Sequence, residues 1–270
     1  MSKPILNRKN GILILKAVFL IQCLGFVHDN WLYGSSLFKT LWQNVGLTAS
    51  LATLIDRIFF ALFSLVSLAA LYFNKKHLYI AAGLFILLIS ILGLYQGGFW
   101  GRYFIITAQA PRYLLPLSLA IFYHHFYLDK EKAYHYLKLT LILAVSLVFA
   151  THGIEALLKS PKFVDLILRV SRTYFTLSLT QDFVEDILII IGIVDILVAL
   201  FIWLYPSSYL FGYAAFWGFI TALSRVMFSP EYGLYSTLIR AANGGIPLAL
   251  LFMGGFIYIL KDKKIVTNGS

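Results

Sequence analysis

The sequence predicts an all-α, polytopic membrane protein of about eight transmembrane helices, arranged as two parallel four-helix repeats. Three observations lead there. Of 270 residues, 60% are hydrophobic and only 13% charged, where soluble domains carry about 25% charged residues, so the chain cannot supply a polar skin. Apolar stretches of roughly 20 residues, the length that crosses a bilayer, recur along the whole chain with short connections. Features of the first half also return in the second at a nearly constant spacing. The same composition excludes disorder, collagen, coiled coil and a disulfide scaffold, and it leaves no room for a separate soluble domain.

The first span, 11–28, follows Lys3, Arg8 and Lys9 as the core of a signal peptide would. No small-x-small cleavage site follows it and the chain stays hydrophobic, so it reads as a retained span. Lys16 lies early enough in it to snorkel back to the headgroups. Spans two to four cover 48–72, 77–95 and 109–127; spans five to eight cover 137–158, 184–204, 208–228 and 240–260. Trp31, Trp42, Trp100, Trp203, Tyr205, Tyr209 and Tyr258 fall near the borders, where amphipathic rings are at home. The connection from Lys159 to Asp182 is long for a loop. Val164, Ile167, Leu168 and Phe175 form an apolar stripe within it at helical spacing, with Arg169 and Arg172 on the flank. That pattern suits a helix lying along the headgroups or a partly re-entrant one.

The formal net charge is +10, from 22 Lys+Arg against 12 Asp+Glu. Most basic residues cluster at span ends, as the positive-inside bias and anionic lipids predict. With no long basic run and no nucleic-acid motif, the charge points to the lipid bilayer as partner and not to nucleic acid. Ten inner basic residues against six outer ones place both termini in the cytoplasm, and a bacterial inner membrane is preferred to a eukaryotic endomembrane. Cys23 is the only cysteine, so an internal disulfide, a Cys-x-x-Cys pair and a zinc knuckle are excluded. An inert buried thiol is expected there.

The internal repeat rests on three pairs. His28 ends span one and His152 lies near the end of span five, 124 residues on; Asp56 and Asp186 open spans two and six, 130 apart; Pro116 and Pro247 lie in spans four and eight, 131 apart. Gln109-Ala110-Pro111-Arg112 lines up with Arg240-Ala241-Ala242-Asn243. Four spans per copy is an even number, so both copies keep one orientation and are related by an axis along the membrane normal.

In this setting Thr151-His152-Gly153-Ile154-Glu155-Ala156-Leu157-Leu158 resembles the His-Gly-x-x-Lys-Leu type of motif that ends the first helix of the DoxX/DoxD/MauE-like membrane protein superfamily. The acidic start of span six (Glu185, Asp186) and the Arg240–Asn243 stretch resemble it as well. The first half carries His28-Asp29 where His-Gly would stand, and Glu155 replaces the usual lysine. The resemblance implies a fused pair of four-helix units, 1–132 and 133–270. It also implies a redox-associated membrane subunit, of the kind that accompanies thiosulfate:quinone oxidation or methylamine dehydrogenase maturation. The maturation branch works with thiols, and this chain has no thiol pair. A tandem eight-span layout is similar, too, to the surfeit-locus cargo receptors.

Ionisable side chains inside lipid cost about 2.5–3.5 kcal/mol at mid-span and so have a partner or a task. His152 and Glu155 share a helix face at three-residue spacing. Asp182, Glu185 and Asp186 form a carboxylate patch, Asp195 lies deeper in the same span, and Arg225, Arg240 and Asn243 approach from spans seven and eight. The set reads either as a structural ion-pair network or as a ligand or proton site. Asp195 reads either as a neutral acid bonded to a neighbour's backbone or as a proton relay. First-half counterparts are His28, Asp29, Asp56, Arg57 and Arg112. Two unaccompanied histidines do not make a haem site, and no metal site is expected. Gly244-Gly245 serves either close helix packing or a local unwinding before Pro247. The expected function is a redox-associated subunit that binds a quinone or lipid-like molecule between the halves, with no catalytic residue assigned. The alternatives are a membrane carrier or cargo receptor, or a structural anchor for a partner protein subunit.

Overall fold

The computed structural model describes residues 8–96 and 98–254. In chain order these form α1 (Arg8–Tyr33), α2 (Ser36–Lys39), a π turn (Thr40–Asn44), α3 (Ala49–Phe73), α4 (Lys76–Gly93), α5 (Gly98–Ala108) and α6 (Ala110–His125). The second half continues with α7 (Lys130–Leu157), α8 (Pro161–Phe175), α9 (Gln181–Leu204), α10 (Ser208–Phe228), α11 (Pro230–Ile239) and α12 (Ala241–Met253). Seven helical segments are long and apolar enough to cross a membrane, or eight if the pair Arg102–Ala108 and Ala110–His125, bent by 40°, counts as one span. The chain is thus an all-helical, multi-pass membrane protein.

The starts of the helices are written locally. Ser35, Thr48, Asp129, Thr180 and Ser207 each accept a backbone N–H with their side chains at the head of α2, α3, α7, α9 and α10, which satisfies donors that lipid cannot. Asp129 thereby sets the start of α7 at Lys130.

The fourth and eighth spans differ from expectation. The fourth is bent by 40° between α5 and α6, whereas α11 and α12 meet at a single-residue interruption within one apolar stretch, Gly233–Met253 of the described residues. Tyr258 and the basic residues Lys261, Lys263 and Lys264 lie outside the described residues, as do Lys3 and Gly97. The breaks fall at Gln109 (φ −98°, ψ 4°) and Arg240 (φ −93°, ψ 6°), almost the same backbone conformation. Pro116 and Pro247 lie inside the helices that follow.

Around these breaks α4 packs on α6 and α10 on α12, while α6 rests against α7 and α12 against α1. One core runs through both halves, from Leu15 on α1 to Met253 on α12. Lipid tails are as apolar as leucine, so such packing depends on close approach rather than on hydrophobic expulsion. Glycine supplies the approach where α7 crosses α9: a Cβ on Gly192 would stand 2.7 Å from the Gly153 carbonyl oxygen. Gly218 does the same beneath the Asn243 carbonyl, 2.5 Å from where its Cβ would be. Helix α12 continues unbroken through Gly244 and Gly245, which answers the choice between packing and unwinding in favour of packing.

Helix α8 lies against the bundle. It packs on α9 and α10, held by a small separate cluster of Ala156, Val164, Val184 and Leu188 with Phe163, Ile167 and Leu168 against it. The apolar stripe foreseen in the sequence makes these contacts, while Phe175, at its far end, stays 59% exposed.

Candidate functional site

The roof made by α8 covers a cavity of about 320 Å³. Its walls are Val148, Phe149 and Ala156 from α7, Phe163, Leu166, Ile167, Val170 and Phe175 from α8, Leu188 and Ile191 from α9, and Ile220 from α10. His152, Asp195, Thr221, Ser224, Arg225, Arg240 and Asn243 supply its polar lining. Along α9 the lining extends from Leu188 to Asp195, about 10 Å of axis at 1.5 Å per residue. Along α10 it runs from Trp217 to Arg225, about 12 Å by the same rise.

The polar lining has a supporting layer. His152 Nδ1 lies 2.9 Å from Glu155 Oε2, the i, i+3 pair foreseen in the sequence. Glu155 is 1% exposed, and its other oxygen accepts from Lys162 Nζ at the start of α8. Lys162 was not foreseen; the only signal in the sequence was a lysine placed one turn past the helix end that carries Glu155. Burial holds the Lys162 ammonium below its ordinary pKa, with Glu155 acting against that shift. His152 is thus oriented from behind, with Nε2 as its remaining polar atom.

Arginine dominates the cavity's charged end. Arg225 of α10 and Arg240 at the α12 break line the cavity, and both lie within electrostatic range of Arg112 of α6. Asp29 acts on Arg112 and Arg240, and Glu155 on Arg225. Arg240 Nη1 donates to the Ser236 carbonyl at 2.7 Å and to the Ser236 hydroxyl. The Nε atoms of Arg112 and Arg225 are buried without an acceptor, as are Asn243 Oδ1 and Asp195 Oδ1 on the acceptor side. Among the described residues no ion pair within 4.0 Å involves any of the three arginines. At the cavity, ion pairing among the described residues is therefore limited to His152, Glu155 and Lys162. Asp195 keeps company with Trp217 and Tyr213.

Other expected site residues stand elsewhere. Glu185 pairs with Lys159 at 2.7 Å and accepts from Gln181 at 2.7 Å on the outer rim, which holds the Lys159 ammonium above its ordinary pKa. Asp186 is exposed. Their helix turns Leu188, Ile191 and Asp195 inward instead, so the acidic start of α9 does not join the site. Asp56 is buried and accepts from Ser35 N at 3.1 Å and from the Ser35 hydroxyl, whereas Arg57 lies 5.2 Å over the Trp31 ring. His28 stacks on Tyr235 at 3.4 Å and lines a second cavity of about 420 Å³ between α1, α3 and α11.

The first cavity is thus framed by second-half helices, with Arg112 and Asp29 reaching it electrostatically from the first half, instead of lying evenly between the halves. His28 and His152 line different cavities. Among the described residues there is no cluster of three or more His, Cys, Asp or Glu side chains placed for a metal. Cys23 is a buried free thiol. Comparisons with protein-family models, curated proteins and solved structures return no match to this chain.

Proposed function

We propose that the protein is an integral membrane subunit that binds a lipid-like molecule in the cavity beneath α8. It is a duplicated, DoxX-like pair of four-helix units with both termini cytoplasmic. The cavity carries the functional reading: most of its wall is apolar, Arg225 and Arg240 line it together, and Asp195 stands apart from them beside Trp217, a lining that suits an amphiphile. A duplicated architecture is supported by the matching breaks at Gln109 and Arg240 and by the exchange of contacts in which α6 meets α7 and α12 meets α1.

Lipid mass spectrometry on the purified chain tests the reading. Wild type is expected to retain about one amphiphile per chain. Val170→Trp, which fills the cavity from the α8 side, is expected to lose it while melting at a similar temperature. Equal retention by both would reject the cavity as the binding place.

One observation favours a quinone as the amphiphile. With Nδ1–H donating to the Glu155 carboxylate, neutral His152 offers Nε2 as an acceptor for the hydroxyl of the quinone's reduced, quinol form. Quinone recovered from wild type and absent from His152→Ala supports this second reading; quinone retained by His152→Ala, or recovered from neither, removes it.

A further inference from the structure

The charge balance at the polar end of the cavity specifies the occupant more closely. Arg112, Arg225, Arg240 and Lys162 act on one another and on only two carboxylates in this region, Asp29 and Glu155. Asp195, the cavity's own carboxylate, sits with Trp217 and Tyr213 and not with the arginines. Among the described residues, two positive charges therefore lack a protein partner. Unpaired charge inside a membrane bundle is costly and is retained only where something compensates it.

The donors are arranged for an oxyanion. The Arg225 guanidinium makes no hydrogen bond to another described residue and buries an unpartnered Nε. Arg240 uses Nη1 on Ser236, which anchors the guanidinium while leaving its other donors. Guanidinium presents paired donors that match a phosphate edge. Helix α12 begins at Ala241, directly after Arg240, so its positive end faces the same region. Ser224 and Thr221 line the same side, but their hydroxyls already donate to backbone carbonyls and so can only accept from the ligand.

We infer that the occupant is an amphiphile whose head is a phosphate monoester, seated between Arg225 and Arg240 with Arg112 behind them and its tail along the α8 roof. A phosphate monoester carries a charge of about −1.5 to −2 at pH 7, the deficit that the side chains leave. This inference rests on the cavity reading above and adds the chemistry of the head.

Native mass spectrometry of the full chain with three probes separates the possibilities: dodecyl phosphate, dodecanol and inorganic phosphate. Dodecyl phosphate is expected to bind at least tenfold more tightly than dodecanol, and inorganic phosphate weaker still. Arg225→Gln should reduce dodecyl phosphate binding about tenfold with dodecanol unchanged, and Arg225→Lys should recover part of the loss. Dodecanol binding as tightly as dodecyl phosphate to wild type would overturn the anionic head while leaving the cavity reading intact. Inorganic phosphate binding as tightly as dodecyl phosphate would replace the lipid head by a free anion, and binding of no probe would defeat the cavity reading as well. The wild-type comparison decides the matter even if the variants fail to fold.

Discussion

The two halves place similar elements in the same order and finish them differently. In the first half the connection after α1 is short: four residues of α2 and a five-residue π turn. It is sewn shut. Asp56 takes two hydrogen bonds from Ser35, Gln96 donates to the Ser36 carbonyl at 2.8 Å and to Thr40 at 3.0 Å, and Ser90 donates to Gln109 at 2.9 Å. In the second half the connection is the 15-residue α8, Ser160 at its head has a buried hydroxyl without a partner, and Arg240 stands where Gln109 stood. The hydrogen-bonded plug becomes a roof over a cavity. At this end the two halves thus differ in the length of one connection and in the residue at one helix break.

The largest effect should come from the helix crossing under the cavity. Gly192→Leu drives a side chain into the Gly153 carbonyl, 2.7 Å from where even its Cβ would sit, and overpacking of this kind costs about 3 kcal/mol. A loss of cooperative unfolding, or a melting temperature many degrees lower, is the expected readout. Next is Glu155→Gln, which weakens both partners of a carboxylate 1% exposed. Its cost is about 2 kcal/mol, below the usual range for a broken buried pair, because Lys162 is 42% exposed and can turn to water. Asp56→Asn in the first half sets an amide against the Ser35 donors and costs about 1 kcal/mol. If Asp56→Asn proves worse than Glu155→Gln, the plug matters more to the bundle than the roof, and the comparison inverts. The smallest effect is Glu185→Gln: the melting temperature stays where it was, because exposed pairs contribute little. The Lys159 ammonium falls back toward its ordinary pKa, which nitrogen NMR of the lysine can follow.

Much of this was legible from residue spacing. Apolar length gave the spans, and three-residue spacing gave the His152–Glu155 pair because one helix face decides it. Arg225, Arg240, Asn243 and Asp195 were singled out as costly groups in lipid, and all four line the cavity. What was not legible depends on rotation and on partners distant in sequence. Glu185 and Asp186 share the acidic patch in sequence, yet the inward face of α9 belongs to Leu188, Ile191 and Asp195. Lys162 reaches Glu155 only because α8 folds back across the end of α7. The last span was placed from 240, where α12 begins at Ala241; the short apolar helix α11 ahead of it was not counted with it.

The account stands on the second-half cavity being a lipid site with a cationic end. The most direct measurement is a cryo-electron microscopy map of the chain in lipid nanodiscs, at a resolution that shows acyl chains. An elongated density beneath α8, its head against Arg225 and Arg240 and no counterpart beneath α2, is the predicted result. Lipid density confined to the outer surface of the bundle, or an equal density in both halves, would contradict it.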